Sequence, residues 1–136
     1  LEGMFILPYY KNEFILLAFL QLRKQNFEGT VKWLNRISNP EQNLVKKQQG
    51  YFNYLHGIIL SQTNLTKAEK YFKKAIELGL SMDTDLAMAN LSLSGIYMQK
   101  RRKREATLLL NKAKKLDTQG VLTGQIKEMQ KQMKRI

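Results

Sequence analysis

An internal repeat constrains this chain more than any other feature. Displaced by 38 residues, the sequence lines its apolar pattern up with itself. Leu17, Leu55 and Leu93 coincide, as do Leu34, Phe72 and Leu110. Thr30, Ala68 and Ala106 fall together, and so do Ile37, Ala75 and Ala113. Phe14 falls on Phe52, Gly57 on Gly95, and Ile58 on Ile96. A period of this size marks an architecture whose units are supersecondary elements that cannot bury their apolar faces alone.

Each unit reads as two amphipathic helices. Leu65, Ala68, Tyr71, Phe72, Ala75, Ile76 and Leu78 have helical spacing, and Lys67, Lys70, Lys73 and Lys74 fill the other face. Thr66 and Glu69 have the form of a capping box, and Gly79 stands where a helix would close on a left-handed residue. Helices are expected near 10–24, 27–37, 42–62, 65–78, 83–99, 102–116 and 121–134, with breaks at Asn39-Pro40, Gln62 to Asn64, Gly79 to Asp83 and Asp117 to Gly120. Two Pro and eight Gly are too few for the tight turns of a small sandwich or barrel. The expected fold class is therefore all-α.

These units resemble the tetratricopeptide repeat family. Phe52, Leu55, Ile59, Leu65, Ala68, Phe72 and Ala75 follow its spacing in the second unit, and Leu93, Ser94, Tyr97, Ala106, Leu110 and Ala113 in the third. The first unit supplies Phe14, Leu17, Ala18, Phe27, Thr30, Leu34 and Ile37. The departures are a period of 38 rather than the family's 34, His56 at a position that usually holds a small residue, and Lys103 where an aromatic or Leu is expected. The resemblance implies antiparallel hairpins stacked in a short right-handed superhelix. They would span 11–40, 41–80 and 83–117, after an apolar lead-in at 1–10 and before a capping helix at 121–136. That last helix gathers Val121, Leu122, Ile126, Met129 and Met133 on one side.

The resemblance also places a concave groove on the first helix of each unit. Its positions are Asn12, Ile15, Phe19 and Leu22, then Gly50, Asn53, Gly57 and Leu60, then Met88, Leu91, Gly95 and Met98. A glycine inside a helix costs ~1 kcal/mol against alanine. Gly57 and Gly95 are therefore expected either to admit a ligand backbone or to let helices approach. An apolar groove favours a peptide or amphipathic helix, with Asn53 orienting it, and burial of the Met and Phe side chains is the competing reading. Some members of the family hold chaperone C-termini in a carboxylate clamp. The matching residues here are Ile15, Phe19, Tyr54, Met88 and Ser92, none of the clamp type, which argues against that activity.

Charge is uneven. The chain carries +12 overall, and residues 100–136 hold 12 Lys/Arg against 3 acids. Lys100, Arg101, Arg102, Lys103 and Arg104 form a basic turn that would suit phosphates or anionic lipid, or simply face solvent. No aromatics interleave with the run. Absent Cys excludes disulfides and thiolate chemistry, and His56 as the only His excludes multi-histidine metal sites. His56 reads as a hydrogen-bonded packing residue and Trp33 as a contact between repeats. Phe14 to Leu22 is too short an apolar run to span a bilayer, which needs ~20 residues. No signal peptide is visible. These features fit the cytoplasm, or the cytoplasmic part of a membrane-anchored protein.

The expectation is a non-enzymatic module without cofactor or metal that binds a protein or peptide through Ile15, Phe19, Asn53, Gly57, Leu60, Met88, Leu91, Gly95 and Met98. A basic adaptor for nucleic acid or anionic membrane, acting through 100–104 and the last helix, and a self-associating homodimer are the alternatives.

Overall fold

The computed structural model describes residues 13–135. The lead-in at 1–10 and Asn12 lie outside the described residues. Eight helices and no strand occur among those described: α1 (Glu13–Arg23), α2 (Phe27–Leu34), α3 (Pro40–Asn43), α4 (Lys46–Leu60), α5 (Leu65–Leu78), α6 (Asp83–Gln99), α7 (Lys103–Leu116) and α8 (Thr123–Met133). The all-α expectation holds.

Local chemistry sets the boundaries. Asn26 caps α2 by accepting from the Gly29 N–H at 3.0 Å, and Asn64 caps α5 by accepting from the Lys67 N–H at 3.1 Å. The expected capping box at Thr66 and Glu69 is thereby corrected. Thr66 lies inside the helix, and the Glu69 carboxylate pairs instead with Lys100 and Lys73. Gly79 closes α5 with φ +90°. The helix expected over 42–62 is split. Pro40 starts the short α3, Leu44 is extended, and α4 begins only at Lys46.

Three helix pairs form the body: α1 with α2, α4 with α5, and α6 with α7. Their second helices, with Ile37 just beyond the end of α2, present one repeated stripe to the core. Thr30, Leu34 and Ile37, then Ala68, Phe72 and Ala75, then Ala106, Leu110 and Ala113 are all buried. Small residues at the crossings let helices approach to the usual ~8–10 Å. Ala18, Gly57 and Ser94 answer them from the first helices, each buried. The Ser94 hydroxyl donates to the Ala106 carbonyl at 2.6 Å, fastening the third pair across its helices.

Gly57, not His56, takes the small-residue place in the middle pair. A Cβ at Gly57 would lie 2.9 Å from ring carbons of Phe72. The cause is visible in the turns. Gln25 and Arg101 have φ of 59° and 61°. Each sits in a closure where the following N–H reaches five residues back, Asn26 to Gln21 and Arg102 to Tyr97. The α4–α5 turn, Ser61–Asn64, has no such residue, and Gly57 stands 11 positions before Ala68 where Ala18 stands 12 before Thr30 and Ser94 stands 12 before Ala106. The first helix of the middle pair is therefore displaced by one position relative to a uniform 38-residue offset.

The pairs are joined by specific contacts. Tyr51 on α4 is fully buried, and its hydroxyl donates to Asp85 Oδ2 on α6 at 2.7 Å while accepting from the Met82 N–H at 3.3 Å. Phe19, Tyr51, Tyr54 and Phe72 form a run of ring contacts from α1 through α4 to α5. Burial raises the Tyr54 phenol well above its ordinary value, with Asp85 and Tyr51 adding to the effect. Helix α8 covers α6 and α7 with Ile126 and Met133, and Leu122 is buried just before it. Val121, expected on that apolar side, is exposed. Trp33 stacks on Phe14 at 6.0 Å and lies under Arg36, so it packs within the first pair rather than between repeats.

Candidate binding grooves

Two of the grooves beside the second helices occupy matching places. One, of 650 Å³, lies against α4 and α5 and is lined by Asn53, His56 and Leu60 below, Lys67, Lys70, Tyr71 and Lys74 on one wall, and Glu41 on the other side. The other, of 370 Å³, lies among α5, α6 and α7. Leu93 and Tyr97 form its floor, with Lys73, Ile76 and Glu77 on one wall and Glu105, Leu108, Leu109 and Lys112 on the other. The two are equivalent places in successive pairs. His56 and Leu60 map to Leu93 and Tyr97 at an offset of 37, while Lys67, Lys70, Tyr71 and Lys74 map to Glu105, Leu108, Leu109 and Lys112 at 38.

Their chemistry differs. In the first groove the His56 ring stacks on Tyr71 at 5.0 Å and meets the edge of Phe52 at 4.6 Å. Burial lowers its pKa, so the imidazole is held neutral at pH 7. As expected, His56 is a packing residue, but aromatic rings hold it. The second groove is more apolar, and Leu108 is exposed along it. At its edge Glu69 accepts from Lys100 at 2.7 Å and pairs with Lys73 at 2.9 Å. The Lys100 hydrogen bond is the main reason the Glu69 carboxyl is held below its ordinary value. A hydrogen bond with Tyr97, then one with Glu69, raises Lys73.

The residues expected to form one apolar groove are not brought together. Ile15 and Leu91 are buried in the core, and Phe19 packs on Tyr51 and Tyr54. Gly57 lies under Phe72, and Gly95 faces Met129 of α8, so the two glycines are not equivalent. Gly50, taken with them, abuts the carbonyl oxygen of Gly79, where an added Cβ would collide with backbone. Met88 and Met98 are half-buried against the core. Of this set, Asn53 and Leu60 line a groove, and it is the one beside α5. The Asn53 amide is already committed to the Gln49 carbonyl at 2.7 Å, as the Asn90 amide is to that of Leu86 at 2.8 Å. The lysine wall was legible as the polar face of α5. The fixed offset hid that it flanks a groove.

The basic turn divides. Lys100 is half-buried on Glu69. Arg102 lies 3.7 Å from Glu105 and over the Tyr97 ring, and Arg101 is the left-handed closing residue of α6. Arg101, Arg102, Lys103 and Arg104 are exposed, and Lys103 also lines a groove between α7 and α8. Exposed large apolar residues, Leu20, Val45, Leu108 and Val121, are scattered singly rather than gathered on the first pair.

Among the described residues no cluster of His, Asp or Glu is arranged to hold a metal ion, and no helix is long and apolar enough to cross a membrane. Comparison with protein-family models, curated proteins and solved structures finds no match.

Proposed function

We propose that the three pairs are tetratricopeptide-like repeats stacked in a short right-handed superhelix capped by α8, and that the chain is a non-catalytic protein-interaction module. The observation that carries this is the pair of equivalent grooves. One scaffold position recurs in successive pairs, and its lining changes from lysine-rich to apolar while the buried stripe beneath keeps its pattern. Scaffolds built from stacked repeats bind partners by varying exposed positions over a fixed core. The binding surface then lies along the second helices, not in the expected apolar concavity.

Site-specific photocrosslinking tests the reading. A photoreactive residue is placed at Lys70, at Leu108 and, on the first helices, at Leu20 and Gln99. Crosslinks to a protein from the source lysate at Lys70 or Leu108, competed by excess unmodified chain, are expected. Crosslinks confined to Leu20 and Gln99 would return binding to the first-helix face, and none at any position would remove the proposal.

A second reading rests on the exposure of Arg101, Lys103 and Arg104. They would contact anionic lipid or nucleic acid, with affinity falling steeply with salt. A flat salt response excludes it.

A further inference from the structure

We propose that the groove beside α5 receives an acidic peptide segment, carrying alternating carboxylates and an apolar anchor, which Lys67, Lys70 and Lys74 hold. The inference rests on the protein-interaction reading above and names the partner's chemistry and its site.

Three observations converge. First, the lysines are uncompensated. The ion pairs of this region go to Lys73 and Lys100, and Lys67, Lys70 and Lys74 have no carboxylate partner among the described residues. Glu41, across the groove, is the one acid in its lining. Along α5 the three lysines are each other's neighbours at the third and fourth positions, a like-charge arrangement that weakens a helix. Second, the fold does not require Lys67 or Lys70. Glu105 and Leu108 occupy their equivalent places in the sister groove, on a helix of the same length, while Lys112 stands in that of Lys74. Third, the shape suits a peptide. Lys67 to Lys74 rises about 10 Å along the helix, the reach of about three extended residues. Leu60 below and the Tyr71 ring on the wall offer apolar contact for a side chain between the carboxylates.

A nucleic acid is the less suitable occupant. Phosphates are best gripped by the fork of arginine, and this groove contains none. Base stacking needs open aromatic faces, and His56 already covers one face of Tyr71.

Fluorescence anisotropy on the full chain tests this. The probe is a labelled decapeptide of alternating Glu with one central Leu. Its comparators are the same peptide with Gln for Glu, a labelled thymidine oligonucleotide of equal charge, and phosphatidylserine vesicles. The acidic peptide is expected to bind at least about tenfold more tightly than the Gln peptide. Lys67→Gln/Lys70→Gln/Lys74→Gln should lose about that factor, with far-UV helicity intact, while Arg101→Gln/Arg104→Gln leaves affinity unchanged. Equal losses in both variants, an unaffected groove variant, or tighter binding of oligonucleotide or vesicle would overturn the proposal. Crosslinking at Leu108 alone, with no acidic-peptide binding, would overturn it and leave the interaction-module reading standing.

Discussion

The phenol of Tyr51, fully buried on α4, reaches the carboxylate of Asp85 at the start of α6, and the same oxygen accepts the Met82 N–H. One hydroxyl thus ties the middle pair to the first turn of the third. Tyr51→Phe keeps the ring contacts and removes this tie. A loss of about 1–2 kcal/mol is expected in chemical denaturation, from the two part-buried hydrogen bonds removed.

Gly57 and Gly124 should respond oppositely to alanine. At Gly57 the new Cβ meets the Phe72 ring at 2.9 Å, and the packed ring has to move. The overpacking cost of ~1–3 kcal/mol exceeds the ~1 kcal/mol helix gain. At Gly124, in α8, nothing lies within 4 Å of the added atom, and a gain of up to ~1 kcal/mol is expected. Thermal denaturation of both variants checks the contrast, and Phe72→Leu should relieve the Gly57→Ala penalty.

The pH dependence should carry a His56 signature. Its folded pKa lies below the ordinary 6.5 because burial disfavours the cation. As pH falls below that ordinary value, the unfolded chain takes up the proton first, so stability drops and then levels once the folded state protonates too. Tm should fall from pH 7 toward pH 5, and His56→Gln should flatten that part of the profile. Glu69 acts in a separate window. Its depressed pKa gives stability that is present above its ordinary 4.5 and lost as pH falls through the folded value.

Within the basic turn, neighbouring substitutions should diverge. Lys100→Gln removes the hydrogen bond to Glu69 and should cost about 1 kcal/mol after allowance for partial exposure. Arg101→Gly relieves a left-handed backbone and should stabilise by about 1 kcal/mol. A calorimetric series over the two variants and Arg104→Gln, expected near neutral, separates structural from solvent-facing charge.

What was legible in the chain was the second helix of each pair. Ala68, Phe72 and Ala75 keep their spacing in every unit, because a residue pressed into a crossing cannot drift. The first helices were harder to register. A single offset assumes equal connections, and the α4–α5 connection, one residue shorter between the crossing positions, puts Gly57 in the place assigned to His56. The matched amides of Asn53 and Asn90, 37 apart, were the available signal. Leu91 shows the result for function. Read as a groove residue, it is 3% exposed, so Leu91→Glu would report unfolding rather than binding.

Helix α6 is packed by α5, α7 and α8. Its neighbours fasten it on three sides. Its amide protons should exchange late, and those of α8, which packs mainly on α6 and α7, earlier. A partner seated beside α5 would brace one of those three neighbours, and could slow exchange in α6 without touching it.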